Sequence, residues 1–222
     1  MELNKYIDHT LLKATATKED ILQICKEAKE YNFFSVCINS CYVTLVKEEL
    51  KNTTVKTCSV IGFPLGAMST NAKVAETKQA LKDGADEIDM VLNIGLLKSQ
   101  DYEAVSQDIE AVKKVIPNHT LKVILETCYL EEKEIIKASE LAINSGADFI
   151  KTSTGFGTGG ATIKDVTLMK SVIKNGDTKI KASGGIRDTK TAITYINLGV
   201  DRIGTSNGIA IATGNTAKEN NY

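Results

Sequence analysis

Leu81-Lys82-Asp83-Gly84-Ala85-Asp86-Glu87-Ile88-Asp89-Met90-Val91-Leu92 carries a junction that recurs along this chain. Gly84 stands where a left-handed glycine stops a helix, and the residues from Glu87 read as a strand buried on both faces. Gly146-Ala147-Asp148 and Gly199-Val200-Asp201 repeat the pattern, each between a helical stretch and a β-rich run. Three similar junctions point to one repeated βα unit.

Working outward, β-branched runs recur at Ser35 to Ile38, Thr57 to Ile61, Leu121 to Leu125, Asp148 to Ser153, Lys179 to Ala182 and Arg202 to Gly204. Between them lie apolar stripes at helical spacing, such as Val105, Ile109, Val112, Ile116 and Val43, Val46, Leu50. Thr17 before Asp20 and Thr162 before Asp165 mark helix starts. With Glu87 to Leu92 the clear strands are seven, and Tyr6 to Leu11 supplies an eighth. That count predicts a single (β/α)8 barrel, the TIM-barrel form of an α/β fold, over residues 1–222. The polar stretch Thr213 to Tyr222 reads as a mobile tail.

The 222 residues are 42% hydrophobic and 25% charged, with a formal net charge of −1. Lys and Arg are dispersed, so no footprint for nucleic acid or an anionic membrane arises, and a small-molecule partner is expected. The start, Met1 to Lys13, lacks the apolar core of a signal peptide, and no apolar run reaches membrane-spanning length. Five cysteines without an export signal read as reduced thiols in a cytoplasmic protein. Cys37 and Cys41 are four apart, but neither His9 nor His119 completes a local zinc pattern, so no metal is expected.

In such barrels, chemistry sits at the C-terminal ends of the strands. Asp89, Lys122, Glu126, Lys151 and Lys181 all fall in or at the ends of buried runs, where a charge is expensive unless paired. A structural ion-pair network would explain any one of them. Lys151 and Lys181 on adjacent strands, however, would repel each other as ammonium ions, and burial penalises both. One of the two should therefore give up its proton readily, and a neutral lysine amine attacks carbonyl carbon.

Gly155-Phe156-Gly157-Thr158-Gly159-Gly160 has dinucleotide-fingerprint spacing, but it does not open the first βα unit, and the next strand carries Lys181 in place of an acid. Together with Ser183-Gly184-Gly185-Ile186 and Gly204-Thr205-Ser206-Asn207-Gly208 it reads better as a phosphate-binding set, since barrels often hold phosphate in their last loops. Tight turns alone would also use these glycines.

At these residues the chain resembles the deoxyribose-phosphate aldolase family of class I aldolases. The likeness runs from Asp8-His9-Thr10-Leu11-Leu12 through Val36-Cys37-Ile38-Asn39, Val60-Ile61-Gly62-Phe63-Pro64-Leu65-Gly66, Glu87-Ile88-Asp89-Met90-Val91 and Lys122-Val123-Ile124-Leu125-Glu126-Thr127. It continues through Phe149-Ile150-Lys151-Thr152-Ser153-Thr154-Gly155 and Lys181-Ala182-Ser183-Gly184-Gly185-Ile186-Arg187 to Arg202-Ile203-Gly204-Thr205-Ser206.

The resemblance implies reversible cleavage of 2-deoxy-D-ribose 5-phosphate to D-glyceraldehyde 3-phosphate and acetaldehyde through a lysine Schiff base, without metal or organic cofactor. It makes Lys151 the Schiff-base lysine, Asp89 the acid/base, and Lys181 the cation that favours the neutral form of Lys151. Lys122 would hold Asp89 from behind and contribute to the substrate site. Thr10 and Cys37 would line the sugar pocket, and Gly155, Gly184, Gly185, Ser206 and Asn207 would hold the phosphate. Tyr222 matches a C-terminal tyrosine that relays a proton at the substrate methyl carbon.

The chain departs from the family in two places. Phe156 follows the Lys-Thr-Ser-Thr-Gly run where some members have lysine, and Ser206-Asn207 replaces a frequent Ser-Ser pair. Another lysine-imine barrel of the transaldolase kind, or a phosphosugar-binding barrel without turnover, are the competing readings. A homodimer is compatible with the family, and the sequence does not fix it.

Overall fold

The computed structural model describes residues 1–173 and 176–215. Eight parallel strands close on themselves in chain order, β1 (Ile7–Leu11), β2 (Ser35–Ile38), β3 (Lys56–Ile61), β4 (Glu87–Val91), β5 (Thr120–Ile124), β6 (Phe149–Lys151), β7 (Lys179–Ser183) and β8 (Arg202–Thr205), with β1 pairing β8. The outer layer consists of α1 (Lys18–Glu30), α2 (Val43–Glu49), α3 (Thr70–Asp83), α4 (Ile94–Lys98), α5 (Tyr102–Val115), α6 (Glu132–Asn144), α7 (Ile163–Val172), α8 (Thr189–Asn197) and α9 (Gly208–Thr213). The expected (β/α)8 barrel is therefore the observed fold, and Ile7–Leu11 is its eighth strand.

The local signals act as read. Thr17 and Asp20 form a reciprocal capping box at α1, and the Thr162 hydroxyl accepts from the Asp165 N–H at 3.0 Å. Gly84, Gly146 and Gly199 all take positive φ, +108°, +87° and +99°. Each leads into an aspartate two residues on that accepts from a neighbouring strand's N–H: Asp86 from Thr57 at 2.9 Å, Asp148 from Leu121 at 2.7 Å, and Asp201 from Ile180 at 3.0 Å. The Gly-x-Asp repeat thus stops a helix and sets the depth of the next strand in one step.

Apolar stripes face the strands. Val105, Ile109 and Val112 of α5 are buried, as are Ile21, Ile24 and Ala28 of α1. The main core lies between helices and sheet. A second, small cluster of Leu12, Cys37, Cys58 and Val60, with Phe63 against it, occupies the β1–β3 sector.

The expected tail begins later than Thr213, and residues 216–222 of it lie outside the described residues. Thr213 does not begin a loose tail but ends α9, its hydroxyl donating to Ile209 O at 2.8 Å, and Gly214 closes the helix at φ +73°. Tyr222 lies outside the described residues.

Candidate active site

Strand register builds the site. Side chains alternate across a strand, so Glu87 and Asp89 on β4 share one face. Asp89 is paired in register with Lys122 on β5, and Lys151 on β6 with Lys181 on β7. These side chains, with Asp8 of β1 and Arg202 of β8, are buried together.

The two Asp89 oxygens have different neighbours. Oδ1 accepts from Lys122 Nζ at 2.8 Å and Cys58 Sγ at 3.1 Å; Oδ2 accepts from Lys151 Nζ and Lys181 Nζ, both at 2.8 Å. One edge of the carboxylate is anchored and the other serves the two lysines named by the sequence.

Lys181 is also 2.5 Å from Asp8 Oδ2, and Asp8 Oδ1 accepts from Arg202 Nη1 and Ser35 Oγ, each at 2.7 Å. Lys122 is 2.6 Å from Glu87, which also pairs with Arg202 at 3.3 Å. Fully ionised, Lys122, Lys151, Lys181 and Arg202 outnumber Asp8, Glu87 and Asp89 by one charge.

The surrounding charges hold Asp89, Lys122 and Lys181 ionised. Burial pushes the Asp89 carboxyl up, but Lys122, Lys151 and Lys181 together outweigh it and hold Asp89 well below the usual carboxylate range. Burial likewise pushes Lys181 down, and Asp8 and Asp89 more than reverse this, so Lys181 stays an ammonium ion. Lys122 is held up in the same way by Asp89. The expectation that one of the paired lysines gives up its proton readily therefore does not apply to Lys181.

Access separates the lysines. A pocket at the C-terminal mouth is lined by Lys151 and also by Thr10, Gly155, Gly184, Gly185, Ser206 and Asn207. Lys122 and Lys181 lie beneath it, fully buried, as does Cys37. Lys122 is thus placed behind Asp89 and not in the pocket. Cys37, Cys58 and Asp89 bring potential ligand atoms within 4.8 Å, but the ammonium groups around Asp89 oppose a metal cation there.

The other end of the pocket is glycine. Gly155, Gly184 and Gly185 have φ near +85°, at +89°, +85° and +81°, and a Cβ at Gly155 or Gly185 would meet nothing within 4 Å. Among the described residues, the N–H groups of Gly155, Gly184, Gly185 and Ser206 make no hydrogen bond within the protein. Such unpaired donors facing a pocket suit an anion. Arg187, also lining it, is exposed and has no ion pair among the described residues.

Glu126 does not join the charged cluster. It sits at φ +55° after β5 and accepts from the Thr154 N–H at 3.1 Å and from the Thr154 hydroxyl, holding the loop that follows Lys151. Asp8, Glu87, Arg202 and Arg187 were not singled out from the sequence. For Glu87 a signal existed, since it stands two residues from Asp89 on a buried strand and so shares its face.

The family model described as DeoC/LacD family aldolase matches residues 3–211. The chain belongs to the DeoC/LacD aldolase family. This aldolase is 56% identical over 214 residues to the deoxyribose-phosphate aldolase of Finegoldia magna, covering 96% of this chain and all of that one. It is 57% identical over 216 residues to that of Treponema denticola, with the same coverage. A solved deoxyribose phosphate aldolase from Aeropyrum pernix, described as tetrameric, superposes with a TM-score of 0.88 at 34% identity, covering 95% of this chain and 89% of the other.

Proposed function

We propose that this aldolase cleaves 2-deoxy-D-ribose 5-phosphate to D-glyceraldehyde 3-phosphate and acetaldehyde, with Lys151 forming the Schiff base. The observation that carries the assignment is access: of the three lysines around Asp89, Lys151 alone lines the pocket. Lys151, as the free amine, adds to the C1 aldehyde. Asp89, through Oδ2, moves protons as the carbinolamine loses water to the iminium. Lys181, kept charged by Asp8 and Asp89, stays a cation beside the amine.

The C3 hydroxyl then loses its proton, the C2–C3 electron pair flows into the iminium, and the three-carbon aldehyde departs. Protonation of the resulting enamine at C2 and hydrolysis return Lys151 and release acetaldehyde. Water and protons balance over the cycle, and no cofactor enters it. Thr10 lines the sugar end, with Cys37 packed beneath it and out of the pocket, contrary to the expectation that it lines the sugar site, while the N–H groups at Gly155, Gly184, Gly185 and Ser206, with Asn207 and Arg187 beside them, take the phosphate. Arg187 supplies a cation at that end of the pocket.

Borohydride added with acetaldehyde, followed by peptide mapping, is expected to fix a two-carbon adduct on Lys151. An active protein labelled at Lys181 instead would reverse the assignment. Exchanging Gly185 for Val should raise KM for the phosphorylated sugar far more than for deoxyribose; equal losses would remove the phosphate role. Tyr222 is assigned its proton relay on the family likeness alone, and deleting it should slow acetaldehyde methyl-proton exchange while trapping proceeds.

A cytoplasmic location is proposed with this activity; among the described residues no helix is long and apolar enough to cross a membrane. Assembly of two or more copies is proposed from the family likeness, to be read by light scattering.

A further inference from the structure

Thr152 follows the nucleophile, and Ser183 precedes the glycine turn assigned to phosphate. The Thr152 hydroxyl donates to Ser183 O at 3.0 Å and accepts from the Ser183 N–H at 3.0 Å. One side chain thus makes both hydrogen bonds of a strand ladder just where the β6–β7 pairing runs out.

The backbone of Thr152 is equally committed: its N–H donates to Lys181 O at 3.1 Å and its carbonyl accepts from the Thr127 N–H at 3.0 Å. All of these groups are buried. From the other side, the Ala161 N–H reaches Ser183 O at 3.1 Å and Gly184 O at 3.0 Å, and Ser183 Oγ donates to Ser153 O at 2.6 Å. The turn is therefore clamped, and Thr152 is the member of the clamp directly bonded to the chain of Lys151.

We infer that Thr152 is a positioning residue that fixes the span between Lys151 and the Gly184–Gly185 turn, so that a substrate held by its phosphate presents its aldehyde to the amine. The inference rests on the proposed reaction. Correct placement of both substrate ends at once is an orientation effect, sensitive to shifts of the order of 1 Å. A substrate held at one end only does not need that span. Removing the hydroxyl orphans the buried Ser183 N–H, and the turn must move to find it a partner.

The test compares Thr152→Val, which keeps the shape and loses the hydroxyl, with Thr152→Ser, which keeps the hydroxyl. Three rates are read on each: cleavage of deoxyribose 5-phosphate, cleavage of deoxyribose, and borohydride trapping of acetaldehyde on Lys151. The ratio of kcat/KM for the phosphorylated over the unphosphorylated sugar should fall roughly tenfold in Thr152→Val, return in Thr152→Ser, and leave acetaldehyde trapping near the wild-type rate. A merely structural role would lower all three rates together, and that result, or an unchanged ratio, overturns the inference. If Thr152→Val does not fold, Thr152→Ala is read in the same way, and failure of both to fold assigns Thr152 to stability alone. Should the wild-type chain release no acetaldehyde from deoxyribose 5-phosphate, it is the reaction, and not the role of Thr152, that is refuted.

Discussion

Among the described residues, one buried ionic cluster lies between helices and another inside the barrel. Between α3 and α5, Lys73 pairs with Asp108 at 2.5 Å; the ammonium also donates to Val91 O at 3.0 Å, and Asp108 accepts from the Thr70 hydroxyl at 2.8 Å. One cation meets one carboxylate, and each has a further hydrogen-bond partner. Inside the barrel the cations exceed the carboxylates by one, and Lys151 abuts an open pocket. A balanced pair closed off from solvent holds helices together. An unbalanced one with a single member at the pocket has a place to use an amine.

Breaking the barrel cluster at the member that lines the pocket should have the largest effect. Lys151→Leu is expected to abolish turnover and borohydride trapping while the far-UV circular dichroism is kept, since an apolar side chain of similar reach suits a barrel interior. Trapping at the wild-type rate in that variant would dissolve the contrast between the clusters.

Asp89→Asn keeps the size of the side chain but removes its charge and its proton transfer. Turnover should fall by about 10²- to 10⁴-fold, with slow imine formation surviving in single-turnover trapping. Unimpaired kcat would return Asp89 to a structural role like that of Asp108.

Lys181→Leu sharpens the comparison through its sign. With one ammonium gone, three cations face three carboxylates, and the positive potential around the Lys151 amine falls. The acid limb of the kcat/KM profile should move to higher pH. A residual activity with an unmoved profile would deny Lys181 its electrostatic part.

The balanced pair should respond in stability only. Lys73→Met leaves a buried carboxylate uncompensated and should cost about 3–5 kcal/mol in denaturant unfolding, with kcat per folded enzyme close to wild type. Replacing Lys73 and Asp108 together by Met and Leu should cost less than Lys73→Met alone. Loss of kcat in either variant at full folding would show that the two clusters are coupled.

Much of this was legible beforehand because it is periodic or local. The run Glu87 to Leu92 is buried along its whole length as a central barrel strand must be, and Gly84, Gly146 and Gly199 stop their helices as any glycine free to take positive φ can. Lys151 and Lys181 stood out because a charge within a β-branched buried run breaks the pattern. Glu126 broke it equally and holds a loop, so an anomalous charge signals a buried partner without naming it.

The sequence by itself determined the repeated βα unit, the strand that each charged residue occupies and the glycine turns at the strand ends, all of which follow from hydrophobic period and backbone sterics within a few residues. Only the tertiary structure decided that Asp8 and Arg202, 194 residues apart, share an ion pair, that the two oxygens of Asp89 divide between an anchored and a working edge, and that Lys151 alone reaches the pocket. Those facts depend on barrel closure, which sets β1 beside β8, and on summed charges across strands distant in sequence. Coulomb interactions act through space, and no local period along the chain records them.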